Sequence, residues 1–124
     1  MNTNATRSYK NLVVWQKGIV LAKLIYPLTN KFPTEEKFGL IAQMRRAAVS
    51  IPSNIAEGQA RHKTGEVIQF ISHAEGSLAE LDTQLTVSIE LGFARAESAD
   101  SAFTLISERR RMLNVLRRKL ADRE

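Results

Sequence analysis

The chain has 124 residues, with 18 Lys plus Arg against 13 Asp plus Glu, a net charge of +5, and no Cys. That length fits a single domain, and 44% hydrophobic with 25% charged residues is the balance of a globular chain, not a disordered one. The lack of Cys excludes a disulfide scaffold, a thiolate nucleophile and any Cys-ligated zinc site, and six Gly with three Pro are too few for the turns of an all-β fold.

In chain order, residues 1–10 are polar and read as a flexible tail, followed by one helical domain over 11–124. The first helix runs from Leu12 to about Asn30, with Pro27 expected to bend or end its last turn. The second starts at Thr34, a capping residue followed by two acids at the positive end of the helix dipole, and extends to about Gln59. Pro52 within it predicts a kink or local break, with Ser50, Ser53 and Asn54 suited to satisfying the freed backbone groups. The third covers about Glu66 to Leu91 and stops at Gly92. The fourth runs from Ala96 to about Ala121. Short connections between long helices force antiparallel neighbours, so the expected fold is all-α, an antiparallel up-down-up-down four-helix bundle.

The helical periodicities separate ordinary faces from unusual ones. On the third helix Val67, Phe70, Ile71, Ala74, Leu78, Leu81, Leu85 and Ile89 form one core stripe. The first helix is apolar around most of its circumference, and the second carries a small-residue stripe opposite its core stripe. Aligned apolar surface of this kind predicts a homo-oligomer. Trp15, Ile19, Leu21 and Ile25 of the first helix and Val49, Pro52 and Ala56 of the second are the expected subunit contacts. Between the two stripes of the second helix runs a polar seam, Gln43, Arg46, Ser50, Ser53, Asn54 and Glu57. It reads first as a structural hydrogen-bond network, buried and bonded in the assembly, with a ligand or nucleic-acid contact surface as the alternative. Arg109 falls inside the apolar stripe of the fourth helix, and Glu75, Asp82 or Glu57 is its expected acidic partner.

Charge is uneven along the chain. Residues 1–31 carry five bases and no acid, residues 63–94 sum to −4, and residues 95–124 return to +3. A basic total with basic ends fits a polyanionic partner, although acidic and basic stretches also pair within ordinary bundles. Lys17, Arg110, Arg111, Arg117, Arg118 and Lys119 are the candidate nucleic-acid contacts. Arg111 and Arg118, seven residues apart, share one outward face that can follow a phosphate backbone.

Catalytic patterns are sparse. The chain lacks the Glu-x-x-His spacing of di-iron bundles and any Gly-rich phosphate loop. His62 and His73 are isolated, Ser77 has no nucleophile-elbow context, and Glu75, Glu80 and Asp82 lie on an ordinary amphipathic helix. The expectation is a protein that is not an enzyme, with no cofactor or metal. No apolar run reaches the length needed to span a bilayer and the N-terminus lacks the apolar core of a signal peptide. A cytoplasmic location, without a membrane partner, is therefore expected.

The stretch Ala47-Ala48-Val49-Ser50-Ile51-Pro52-Ser53-Asn54-Ile55-Ala56-Glu57-Gly58 resembles the signature of a family of four-helix bundles named for proteins encoded in intervening sequences of bacterial 23S rRNA genes. Leu12-Val13-Val14-Trp15-Gln16-Lys17, Phe38-Gly39-Leu40, Gln43, Arg45-Arg46, Phe70, Gly76-Ser77-Leu78, Glu80-Leu81 and Gln84-Leu85 extend the likeness over about Tyr9 to Arg118. Pro27 departs from the family pattern. The resemblance implies a ring-like homopentamer. It also implies kinship to the accessory variability protein of diversity-generating retroelements, a basic pentamer that binds RNA or DNA and a reverse transcriptase. The family has no settled biochemical activity, so two functions stand side by side: a charge- and shape-driven binder of nucleic acid, most of all structured RNA, and a protein-interaction scaffold or accessory subunit with no direct nucleic-acid role.

Overall fold

The structure, a computed structural model, describes residues 9–122. Four helices account for most of it: α1 (Val13–Asn30), α2 (Leu40–Gln59), α3 (Thr64–Glu90) and α4 (Ala96–Ala121). Helix α1 packs on α2 and α4, and α3 packs on the same two, while the helices of each diagonal pair stand farther apart. The pairings also fix direction. On α1 and α2, Gly18 faces Pro52 and Thr29 bonds Arg45. On α2 and α3, Met44 meets Ser88, Ser50 meets Ser77 and Gly58 faces Phe70. In both sets one helix rises as the other falls, so α1, α2 and α3 alternate in direction within the expected four-helix bundle.

The core is the set of stripes read from the sequence. Leu21 and Ile25 of α1, Met44, Ala48 and Ile51 of α2, Leu78, Leu81 and Leu85 of α3, and Ile106 and Leu113 of α4 are all fully buried. Val67, Phe70 and Ile89, at the edges of the α3 stripe, are half-buried. Two polar α3 residues, Gln84 and Ser88, join this core unforeseen; the Ser88 hydroxyl donates to the Gln84 carbonyl at 2.8 Å, the i−4 bond by which a helical Ser satisfies itself.

The second helix begins later than expected. Thr34–Glu36 form a separate 3-10 turn, the backbone at Gly39 leaves helical geometry (φ −102°, ψ −112°), and α2 starts at Leu40. The acidic cap still acts, from the turn: Glu36 Oε1 accepts the Leu40 N–H at 3.2 Å, satisfying one of the free donors at the helix start. Neither proline ends its helix. Helix α1 continues through Pro27 to Asn30 and α2 through Pro52 to Gln59. Near Pro52, Ser50 Oγ bonds the Ala47 carbonyl at 2.8 Å and Asn54 Nδ2 donates to the Ser50 carbonyl at 2.8 Å, so both side chains act on carbonyls beside the gap. Helix α3 stops where expected, with Gly92 at φ +78°, a left-handed position that only Gly takes at no cost. At the N-terminal side, Tyr9–Asn11 form a 3-10 turn and the Tyr9 ring meets the Trp15 edge at 5.4 Å. The ordered domain therefore takes in the end of the expected tail, whose residues 1–8 lie outside the described ones.

Candidate nucleic-acid interface

Helix α4 turns Ala102, Ile106, Arg109 and Leu113 inward, which leaves the opposite side for its remaining bases. Arg110, Arg111, Arg118 and Lys119 are all exposed. Arg110, Arg118 and Lys119 have no side-chain partner among the described residues, and Arg111 reaches only Ser107 Oγ, at 3.4 Å. The other two candidates are engaged. Arg117 is half-buried and donates from Nε to Glu75 Oε1 at 3.0 Å and from Nη2 to Asn114 Oδ1 at 2.7 Å. Lys17 pairs across the α1–α4 seam with Glu108 at 3.6 Å.

Two depressions flank the exposed row. On the α3 side, a cleft of about 440 Å³ is lined by Glu75, Ala79, Ser107, Arg110, Arg111 and Asn114. On the α1 side, an open groove of about 420 Å³ has a floor of Leu12, Val13, Met112, Val115 and Leu116, with Arg111 and Lys119 at its rim. Arg111 borders both. Ser107 and Asn114 were missed as site residues in the sequence, yet with Arg110 and Arg111 they follow the three-, four- and seven-residue spacing of one helix face.

Arg109 is the one base of this run that faces inward. It is fully buried, and its partner is none of the three carboxylates expected. Nη2 reaches Glu108 Oε1, on the preceding residue, at 3.4 Å and the Met112 sulfur at 3.0 Å, while Nε and Nη1 have no acceptor. Glu75 is already held by Arg117. Loss of hydration pushes the Arg109 pKa below its usual value, against the attraction of Glu108.

The expected subunit face is narrower than its sequence pattern. Leu21, Ile25 and Pro52 are buried within the chain and have no surface to offer a second copy, because the facing helix and the core cover them. Trp15, Ile19 and Ala56 stay half-buried, and Val49 is exposed. The half-exposed Val13 and Val20, seven residues apart on α1, supply apolar surface in their place. The polar seam divides likewise. Ser50 and Asn54 are half-buried and bonded, whereas Gln43, Arg46, Ser53 and Glu57 are exposed in the single chain and their side chains make no hydrogen bond among the described residues, since they lie on the flank of α2 that no neighbouring helix covers.

His62 and His73 are exposed, and among the described residues no cluster of three or more His, Asp or Glu could hold a metal ion. No helix there is long and apolar enough to cross a membrane. The fold and the α2 motif with its buried Pro52 meet the test of comparison: the family described as 23S rRNA-intervening sequence protein matches residues 10–115. The chain belongs to that family. No curated protein matches it. For a 23S rRNA-intervening sequence protein, the match covers all of α1, α2 and α3 and most of α4, including Arg109, Arg110 and Arg111 but not Arg117, Arg118 or Lys119.

Proposed function

We propose that this protein is a non-enzymatic, basic, cytoplasmic homo-oligomer, a pentamer by the family resemblance, that binds structured RNA by charge and shape. The observation that carries the reading is the row of exposed bases on α4, Arg110, Arg111, Arg118 and Lys119, three of them without a partner. Arg and Lys so placed neutralise phosphates and release their counterions, which supplies most of non-specific affinity. With no aromatic side chain lining the adjoining cleft, bases have no platform to stack on, and the contact follows the backbone. A ring of five copies would carry about five times the +5 of one chain, which strengthens the field felt by a polyanion.

The test is the double variant Arg111→Glu, Arg118→Glu. Its binding to all RNA and DNA sequences weakens about equally, because phosphate contacts carry no base information. Unchanged binding with the oligomer intact rules out the α4 surface.

A second reading rests on the apolar groove of Leu12, Val13, Met112, Val115 and Leu116. There the protein acts as an accessory subunit that docks another protein, such as a nucleic-acid-processing enzyme of the reverse-transcriptase type. Charge reversal on α4 would then leave RNA binding absent from both proteins, and substitutions in the groove would release the partner.

A further inference from the structure

The α3–α4 cleft differs from the groove on the α1 side in holding an acid. Its donors come from α4. Arg110 is unpaired. Arg111 spends one N–H on Ser107 Oγ, which as an acceptor keeps its own hydrogen to give. Asn114 accepts from Arg117 through Oδ1, so its amide hydrogens are uncommitted. Two guanidinium groups, a hydroxyl and an amide thus border one cleft, the donor set that a phosphodiester takes.

Glu75 stands in the same cleft from α3. A carboxylate beside a phosphate is repulsive unless it is neutralised and has a hydrogen to receive. Both conditions hold here. Oε1 is bound by Arg117 Nε at 3.0 Å, and Oε2 has no partner among the described residues. Of the groups on a nucleic-acid backbone, only the ribose 2′-hydroxyl has a hydrogen to give to such an oxygen, and that group is what separates RNA from DNA. The volume of about 440 Å³ admits a sugar as well as its phosphate, and the Ala79 side chain is too small to obstruct it.

The geometry points to the α3–α4 cleft as a seat for one ribonucleotide of an RNA backbone, with Arg110, Arg111, Ser107 and Asn114 on the phosphate and Glu75 accepting from the 2′-hydroxyl. Glu75 is the discriminating residue and Arg117 positions it. The assignment rests on the nucleic-acid reading above and adds to it a preference for RNA.

The experiment compares an RNA hairpin and a DNA hairpin of the same sequence, by fluorescence anisotropy at fixed salt, on the full chain and three variants. Wild type binds the RNA more tightly. Glu75→Gln keeps an oxygen for Arg117 but presents a donor in place of Oε2, so the RNA-to-DNA affinity ratio falls by about 3- to 10-fold, the worth of one lost hydrogen bond, while DNA binding holds or rises. Arg110→Gln with Asn114→Ala weakens RNA binding by about tenfold or more, as expected for a charge-assisted contact. Arg118→Gln, outside the cleft, weakens RNA and DNA alike and leaves their ratio unchanged. Circular dichroism on each variant checks the fold, and the double variant at exposed Arg110 and half-buried Asn114 of α4 keeps the cleft testable should Glu75→Gln unfold. RNA binding whose preference over DNA survives Glu75→Gln, or an Arg110–Asn114 variant no weaker than Arg118→Gln, overturns the cleft and leaves the broader function standing. A wild type that binds neither hairpin overturns the function itself and this assignment with it.

Discussion

Pro52 of α2 packs directly on Gly18 of α1: a Cβ added at Gly18 would stand 3.4 Å from the Pro52 Cβ. The proline costs α2 a backbone hydrogen bond and in return presents a flat apolar ring, fully inside the bundle, where the facing helix has no side chain. The spacing at this contact is just wide enough for one methyl group. Gly18→Ala is therefore expected to be neutral or to stabilise by up to about 1 kcal/mol, through the helix propensity of Ala over Gly, whereas Gly18→Leu forces the two helices apart and costs about 1–3 kcal/mol. Gly58, at the other end of the signature, tells the opposite story. A Cβ there would fall 3.0 Å from the Phe70 Cβ, so Gly58→Ala destabilises despite the same gain in propensity. Urea unfolding of the three variants checks the order.

Arg109 is expected to be a burden on stability. A fully buried guanidinium with two donors unpaired pays desolvation that one neighbouring carboxylate does not repay. Arg109→Met, which keeps an unbranched apolar shape, raises stability by about 1–3 kcal/mol. The pH dependence follows from the sign of the shift. A base whose folded pKa lies below its unfolded value penalises the fold wherever both states are charged, and the penalty lifts only as pH rises through the folded pKa. Desolvation lowers the Arg109 pKa from its ordinary value, so the penalty is relieved only from the alkaline side. The gain from Arg109→Met is thus expected to be the same at every pH where Arg stays charged, as parallel stability profiles for the two proteins would show.

Arg45 closes the end of α1. Its Nε donates to Thr29 Oγ1 at 2.9 Å, one Nη2 reaches Asn30 Oδ1 at 2.7 Å, and the guanidinium lies 4.6 Å from the centre of the Tyr26 ring. These bonds need a planar fork, which Lys lacks. Arg45→Lys should cost about 1–2 kcal/mol, and hydrogen exchange in the last turn of α1, beyond Pro27, should speed up more than in α3.

Much of this fold was open to reading from periodicity alone. The α3 stripe is nearly all core, and helix ends at Gly92 and Ala96 follow from residue chemistry that acts locally. What stayed hidden depends on which neighbour lies across a helix. The face of α1 holding Leu21 and Ile25 looked like subunit surface because the sequence does not say that α2 and the core cover it. The partner of Arg109 was sought on other helices, yet the residue just before it in the chain reaches it. Likewise the cleft needed Glu75 of α3 beside Ser107 and Asn114 of α4, residues whose separation in the chain conceals their meeting. The bases of α4 were legible because exposure on a helix is a matter of angle, and Arg117 was misplaced among them only because its acid lies on another helix.

The apolar surface left on one chain predicts its assembly. Val13 and Val20 of α1 and Val49 of α2 are 51%, 46% and 43% exposed, and a face of this kind is covered in an oligomer. Light scattering should give a mass several times the 13.9 kDa of one chain. Val20→Lys with Val49→Lys should shift it toward the monomer, since burying two ammonium groups without partners opposes association. A wild-type mass of one chain at micromolar concentration contradicts the assembly.

The measurement that bears most directly on the function is the affinity for a structured RNA titrated against salt. If the exposed bases of α4 neutralise phosphates, the logarithm of the binding constant falls linearly with the logarithm of salt concentration. Its slope is about −0.7 to −0.9 for each phosphate contacted, and reversing Arg111 and Arg118 to Glu flattens it. A flat salt dependence, or no binding to RNA at low salt by the assembled protein, contradicts the account.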